Sequence, residues 1–210
     1  MNIYQKNKLE FDKFGVTVVK NLFNNKEINN LELKIKKYIK ENKNNLKGKD
    51  INFIKKEINS IHKFKDKFFN KFSKQKKIMS LGSIMVDDKP VFRMCEYFAK
   101  PKKIGLPSPI HQDNFYWNLK NGKAITIWVA IDKATKKNGA VQYLLGSHNE
   151  GLVKHIPSFA PGSSQKVKQL EKFKRKYKIK IFELNKGDCL IHDSLVMHGS
   201  KKNMSPNSRR

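Results

Sequence analysis

Residues 111–119 read HQDNFYWNL and follow a loop rich in proline and glycine. Side chains at positions i and i+2 of an extended strand project on the same face, so His111 and Asp113 can direct an imidazole nitrogen and a carboxylate oxygen at one point. A histidine from a distant strand, for which His198 is the candidate, would complete a facial triad that leaves open positions on a metal. The sequence therefore predicts a metal site on a strand through 110–117.

The chain around this stretch changes character near residue 82. Before residue 82, apolar residues recur at helical spacing in two regions, which predicts helices. One is capped by Asn24 or Asn25, and the other spans 51–78 and contains His62. A Gly15 turn and a short strand, Val16–Val19, precede the first of these helices. After it, short apolar runs separated by turn residues predict strands at 91–98, 110–117, 124–131, 140–145, 179–182 and 189–198. The 124–131 run predicts a strand buried on both faces, and 150–177 a polar insertion, partly helical at 166–174.

Helices followed by a run of strands indicate an α+β fold with a sandwich or barrel as its second half. A length of 210 residues fits one domain. We expect a helical part over about 1–80 and a strand-rich part over about 82–210.

The net charge of +27 does not by itself indicate a nucleic-acid partner. Only four of the 45 basic residues are Arg, the residue that makes most bidentate phosphate and base contacts. The lysines are scattered among many Asn and Ile, which share AT-rich codons, so biased composition explains the charge. We expect no nucleic-acid partner, although the field could steer an anionic small molecule.

Compartment and membrane association follow from what the sequence lacks. The start, MNIYQKNKLEFDKF, has no apolar core of a signal peptide, and no apolar run approaches the roughly 20 residues of a membrane span. Cys95 and Cys189 lie in apolar stretches and predict buried free thiols. We therefore expect a cytoplasmic protein without a membrane span.

Several ordered motifs together resemble a known family. They are FDKFGVTVVKNLF near the start, FAKP, PSPIHQDNFYW, TIWVAIDKATKKNGAVQYLLGSH, NKGDCLIHDSLVMHGS and NMSPNSRR. In this order they resemble the phytanoyl-CoA dioxygenase (PhyH)-like family of Fe(II)- and 2-oxoglutarate-dependent oxygenases, over essentially the whole chain.

The resemblance implies a double-stranded β-helix, the jelly roll of the cupins, flanked by N-terminal helices. It implies iron held by His111, Asp113 and His198, with His198 a better match than His192. It also implies that Arg209 pairs with the distal carboxylate of 2-oxoglutarate, with Arg210 as the alternative. Trp128 matches an aromatic position that borders this cosubstrate, although a plain core role for it is as well supported.

The implied activity is hydroxylation of a C–H bond in a small organic substrate, with O2 consumed and succinate and CO2 released. Asp113 favours hydroxylation, since related halogenases carry a small residue there. Because the family continues past the position of Arg209, we expect the chain to lack the last strand. That expectation supports an alternative, a jelly-roll binding protein without catalysis.

The remaining candidates receive structural interpretations from the sequence. His148 is expected to fix a turn, His155 to be solvated, and Gln112 to pack on the face opposite the ligands. Arg93 and Tyr97 could line the mouth of the barrel. The substrate itself is not encoded in any recognisable motif.

Overall fold

The computed structural model describes residues 3–41, 66–103, 105–120, 123–160 and 163–210. Helix α1 (Gln5–Phe14) ends at Gly15, whose φ of 72° permits the left-handed cap, and leads into strand β1 (Val16–Val19). Helix α2 (Asn25–Glu41) begins with a capping box in which Asn24 and Glu27 each accept the other's backbone N–H. The predicted helix end, turn and strand are confirmed.

The second predicted helical region is described only in part. Helices α3 (Lys67–Ser73) and α4 (Lys76–Val86) cover its C-terminal portion and continue beyond it. His62 and the rest of that prediction lie outside the described residues. Within the described ranges, no helix combines the length and apolar character needed to cross a bilayer.

The strands that follow form antiparallel pairs. They are β2 (Ser108–His111), β3 (Ile125–Val129), β4 (Val141–Leu144), β5 (His155–Ala160), β6 (Ser163–Val167), β7 (Ile179–Ile181), β8 (Cys189–Asp193) and β9 (His198–Ser200). The described helices also include a single turn, α5 (Asn114–Trp117), and α6 (Leu170–Lys176).

Two sheets carry the fold. One has the order β1-β8-β3 and the other β2-β9-β4-β7, while β5 and β6 form a separate hairpin. Buried apolar side chains fill the space inside, among them Tyr143 and Leu190. This architecture confirms the predicted α+β fold with a double-stranded β-helix core.

The turn before β8 anchors the N-terminal part to the barrel. Gly187 has φ +88°, and a Cβ there would lie 2.1 Å from the carbonyl oxygen of Phe23. Asp188 is buried and accepts hydrogen bonds from the backbone N–H of Asn21 (2.9 Å) and from Lys20 Nζ (2.9 Å). The Gly-Asp pair is therefore needed where two chain segments approach closely.

Several strand predictions were wrong in detail. Residues 91–98 form no strand, and the 110–117 run divides into β2 and α5. The 189–198 run divides into β8 and the start of β9, which belong to different sheets. Strand β3 is half-buried along its length instead of fully buried.

The supposed polar insertion over 150–177 is mostly ordered structure. It contains the β5–β6 hairpin and helix α6. Because polar residues alternate along the hairpin, apolar periodicity does not predict its strands.

Candidate metal centre

His111 and His198 are direct cross-strand partners on β2 and β9. Residues opposite each other in an antiparallel pair present their side chains on one face, and the two imidazole rings lie 4.5 Å apart. His111 Nδ1 donates to the carbonyl of Pro109 (2.8 Å) and His198 Nδ1 to that of Val196 (3.0 Å). Each ring therefore keeps its Nε2 lone pair for a ligand. The two carbonyls are the hydrogen-bond acceptors behind the rings, which the sequence alone does not identify.

Asp113 joins the two histidines from a turn, not from the strand. Its backbone is helical (φ −60°, ψ −36°) at the start of α5. Its Oδ1 lies 3.6 Å from His111 Nε2 and 3.5 Å from His198 Nε2, and one ligand atom from each residue lies within 4.8 Å of the others. The residues converge as predicted, but the strand alternation used to predict it was wrong.

The charge states of this cluster suit a cation. Burial alone would raise the pKa of Asp113, but the neighbouring His198, His111 and His192 outweigh it and hold that pKa well below its ordinary value. Burial, with the neighbouring His192, lowers the pKa of His198 to about 3. At neutral pH the cluster therefore offers an ionised carboxylate and, at His198, a neutral imidazole, which are the protonation states that bind a metal.

His192 also contacts Asp113, a role that the sequence did not reveal. Its Nε2 lies 3.0 Å from Asp113 Oδ2, and Thr126 Oγ1 donates to the same oxygen at 2.7 Å. From the sequence, His192 is only a weaker match than His198 for the same ligand position. Its position on the other sheet explains why spacing along one supposed strand could not decide between them.

Arg209 and Arg210 have opposite surroundings. Arg210 pairs with Asp132 through two hydrogen bonds (2.8 and 2.7 Å) and with Glu32 (3.0 Å). Arg209 is buried, its Nε has no hydrogen-bond partner, and no described carboxylate lies within salt-bridge distance of it. Its guanidinium carbon lies 5.2 Å from the centre of the Trp128 ring.

Burial lowers the pKa of Arg209 to about 10, so its guanidinium is charged at neutral pH. A buried cation without an acidic partner is unfavourable unless an anion completes the site. Arg209 is therefore a candidate to bind an anion. Burial and the field of Asp113 raise the pKa of Tyr143, and the field of Arg209 lowers it.

Lys100 is a second buried cation near Arg209, and its importance was missed. Its Nζ donates to the carbonyls of Leu106 and Lys201, the latter at 2.9 Å. Its backbone pairs with that of Arg209 in both directions (2.7 and 3.0 Å). Burial, followed by the charge of Arg209, lowers the pKa of Lys100 to about 7. In the sequence, the single Lys of FAKP gives no sign of these buried contacts.

Gln112, between the two candidate ligands, is fully buried and fixes three segments. Its amide nitrogen donates to the carbonyls of Gly151 (2.8 Å) and Leu195 (2.5 Å), and its oxygen accepts from Val153 N–H (2.9 Å). His155 Nε2 accepts from the backbone N–H of Gln112 (3.2 Å). The prediction that His155 is solvated was wrong, since the β5–β6 hairpin brings it against this backbone.

The other candidates contact different parts of the molecule. His148 Nε2 hydrogen-bonds to the carbonyl of Asp12 (3.1 Å), as expected of a residue that fixes a turn. Arg93 lies over the ring of Trp117 at 5.1 Å. Burial raises the pKa of Tyr97 to about 12, and Tyr97 contacts Arg210. Neither Arg93 nor Tyr97 gains a direct role at the triad.

Comparison with known proteins supports the fold. The family model described as phytanoyl-CoA dioxygenase (PhyH) matches residues 11–210. A phytanoyl-CoA dioxygenase domain-containing protein 1 homolog from Dictyostelium discoideum is 33% identical over 154 residues, which are 71% of this chain and 54% of that protein. The chain thus spans about half the length of this relative.

Two solved structures show the same fold. EctD from S. alaskensis with bound Fe superposes with a TM-score of 0.79 at 19% identity, over 99% of this chain and 74% of that one. EvdO2 from Micromonospora carbonacea var. aurantiaca, complexed with 2-oxoglutarate, gives a TM-score of 0.75 at 17% identity, over 100% and 88% of the two chains. Since the family model covers nearly the whole chain, this protein belongs to the phytanoyl-CoA dioxygenase (PhyH) family.

Proposed function

We propose that this chain is an Fe(II)- and 2-oxoglutarate-dependent dioxygenase that hydroxylates a C–H bond of a small organic substrate. One observation carries the proposal. A cluster of two histidines and one carboxylate, with Nε2 of both rings free, accompanies a buried arginine that has no acidic partner among the described residues. Family membership supports the same activity.

The donor set fits the metal. Two imidazoles and one carboxylate on one face, with open positions opposite, are the arrangement typical of non-heme Fe(II) oxygenases. We assign His111, Asp113 and His198 as the ligands. When bound, Fe(II) and 2-oxoglutarate would together activate O2, with release of succinate and CO2.

The anion site fits the cosubstrate. A guanidinium offers a planar fork to a carboxylate, and Arg209 has an unbonded Nε. We assign Arg209 to the distal carboxylate of 2-oxoglutarate, and Trp128, over whose ring the guanidinium lies, to the wall of this pocket. Arg210 is engaged by Asp132 and Glu32, so it is the weaker candidate.

Asp113 supports hydroxylation over halogenation, since a small residue there would be needed to admit chloride. The net charge of +27 supports an anionic substrate. We further propose that residues 1–210 act as one domain in the cytoplasm, where the free thiols of Cys95 and Cys189 would persist.

The test is an anaerobic titration with Fe(II) followed by 2-oxoglutarate, monitored by the visible charge-transfer band of the chelate. We expect a band in the unaltered protein that His198→Ala abolishes. His148→Ala is the matched control, since it removes a histidine that bonds to Asp12, and it should keep the band. No band from folded, iron-loaded protein would refute the proposal and favour a binding role without catalysis.

Arg209→Met tests the cosubstrate site separately. Loss of a charged hydrogen bond of about 1.5–3 kcal/mol should raise the 2-oxoglutarate concentration at half-saturation by roughly 10- to 100-fold. Arg210→Met is the control, because it should lower stability while leaving that concentration nearly unchanged. The opposite pattern would transfer the role to Arg210. Succinate release on exposure to air would then provide the assay for a substrate search.

A further inference from the structure

The two carboxylate oxygens of Asp113 face different walls of the barrel. Oδ1 lies between His111 Nε2 and His198 Nε2, at 3.6 and 3.5 Å. Oδ2 receives Thr126 Oγ1 at 2.7 Å and His192 Nε2 at 3.0 Å. A carboxylate oxygen has about two lone-pair sites, so the donors on Oδ2 occupy both and leave Oδ1 for another partner.

Both groups of partners are cross-strand pairs. Thr126 on β3 lies opposite His192 on β8, and His111 on β2 lies opposite His198 on β9. Each pair presents its side chains on one face of its own sheet. The Asp113 carboxylate therefore spans the space between the two sheets, with one oxygen assigned to each pair.

Tyr143 and Asp113 contact the two ring nitrogens of His192, and Asp113 fixes the direction of both hydrogen bonds. Its hydroxyl lies 2.8 Å from His192 Nδ1, and its ring stacks on His198 at 5.5 Å between centres. An ionised carboxylate can only accept, so His192 donates from Nε2 to Asp113. The neutral ring then accepts at Nδ1, and the Tyr143 hydroxyl is the donor.

Asp113 needs such support because of its place in the chain. It lies two residues after the last residue of β2 and caps α5, so the strand ladder ends before it. His192 and Tyr143 are buried, with 4% and 0% of their surface exposed. Their hydrogen bonds consequently form away from solvent, where polar partners are strongly constrained.

We propose that Thr126, His192 and Tyr143 are positioning residues that hold Asp113 as a ligand through Oδ1 alone, with His192 outside the metal's own ligand set. This inference rests on the proposed metal site. Keeping Oδ2 engaged prevents the carboxylate from turning to bind through both oxygens, which preserves the open positions that the proposed reaction requires.

Titration of the apoprotein with Co(II) tests this role without turnover, because the visible absorption of Co(II) reports its coordination. Thr126→Val removes one donor at nearly constant shape. We expect about 10-fold weaker Co(II) binding, the lower end of the effect of losing an outer partner of a ligand, together with an altered visible spectrum. Unchanged affinity and spectrum would overturn the inference for Thr126.

Thr17→Val is the matched control. Thr17 is a buried threonine on β1 of the same sheet, and its hydroxyl donates to Glu10 (2.8 Å). The substitution should lower stability while leaving Co(II) affinity and spectrum unchanged. An equal loss of affinity in both variants would attribute the effect to general destabilisation and overturn the positioning role.

His192→Leu and His192→Gln separate packing from hydrogen bonding. Leucine removes the donor, whereas the glutamine amide can still donate to Asp113, so glutamine should restore most of the affinity and spectrum that leucine loses. Tyr143→Phe should keep the ring on His198 and give an intermediate loss. If His192→Leu does not fold, Thr126→Val and Tyr143→Phe decide the matter.

The outcomes also distinguish this inference from the proposed function. If the unaltered protein binds no Co(II), the metal site fails and the inference fails with it. If it binds Co(II) and the folded Thr126, His192 and Tyr143 variants match it in affinity and spectrum, only the positioning role is refuted.

Discussion

Replacing Lys100 with methionine should remove a rise in stability that the protein otherwise shows between pH 7 and 9. The Lys100 side chain is fully buried, and its pKa falls from 10.5 to about 7 through burial and the charge of Arg209. A neutral amine retains two N–H groups, enough for the carbonyls of Leu106 and Lys201. Deprotonation therefore removes a buried charge without losing either hydrogen bond.

The sign follows from proton uptake. Between pH 7 and 9 the unfolded chain keeps Lys100 protonated, while the folded protein passes from half protonated to almost fully neutral. The unfolded state binds more protons, so stability rises with pH. At roughly 1.4 kcal/mol per pH unit for one full proton, the gain across this window is about 2 kcal/mol.

The assay is urea unfolding of the metal-free protein at pH 7, 8 and 9, for the unaltered chain and for Lys100→Met. Comparing the two cancels the other groups that titrate in this range. The difference in unfolding free energy between them should change by about 2 kcal/mol from pH 7 to pH 9. Parallel curves would refute the reasoning. If the methionine variant does not fold, an NMR titration of the lysine side chains in the unaltered protein should show one that loses its proton near pH 7.

Three further predictions concern stability. Arg210→Met breaks partly buried ion pairs with Asp132 and Glu32 and should lower the free energy of unfolding in urea by about 2 kcal/mol. Lys37→Met is the control, because it breaks an exposed pair with Glu41 that spans 3.5 Å, and it should cost almost nothing. Equal costs would contradict a stabilising role for the Arg210 pairs. The pKa of Glu32 is lowered to about 2, first by the hydrogen bond from Lys36 and also by Arg210. Its contribution to folding stability is therefore complete above pH 4.5 and declines as the pH falls towards 2, so Glu32→Gln should flatten the acid side of the curve of stability against pH. An unchanged acid side would contradict this cause. Gly187→Ala should cost about 4 kcal/mol of unfolding free energy or prevent folding, since its Cβ would meet the Phe23 carbonyl oxygen at 2.1 Å. Gly151→Ala is the control, because Gly151 also has a positive φ but open space around its Cβ, so this variant measures the backbone strain alone. Similar losses at both sites would refute the close approach.

Parts of the fold could be predicted from the sequence because they depend on local chemistry. The Gly15 turn, the strand after it and the capped helix α2 follow from a glycine cap, β-branched residues and an Asn-Glu capping box. Strand β4 likewise follows from its apolar run. Resemblance in the ordered motifs supplied the double-stranded β-helix, which local patterns alone left open as a sandwich or barrel.

Other predictions failed where long-range contacts override local pattern. The 110–117 run is apolar enough for a strand, yet the chain turns helical at Asp113, where the N–H of Asn114 donates to the carbonyl of Ser194 from a distant loop. The 189–198 run likewise crosses from one sheet to the other. Neither change leaves a signal in hydrophobic periodicity, because the partner is remote in sequence.

The same division holds at the candidate site. The sequence by itself determined which residues could hold a metal, namely His111, Asp113 and His198, because few residue types bind one and their motifs resemble a known family. Only the tertiary structure decided that His192 lies against Asp113 Oδ2 and that Arg209, not Arg210, lacks an acidic partner among the residues that the structure describes. Hydrogen bonds and ion pairs depend on distances of a few ångströms between segments far apart in the chain, and packing of the two sheets fixes those distances.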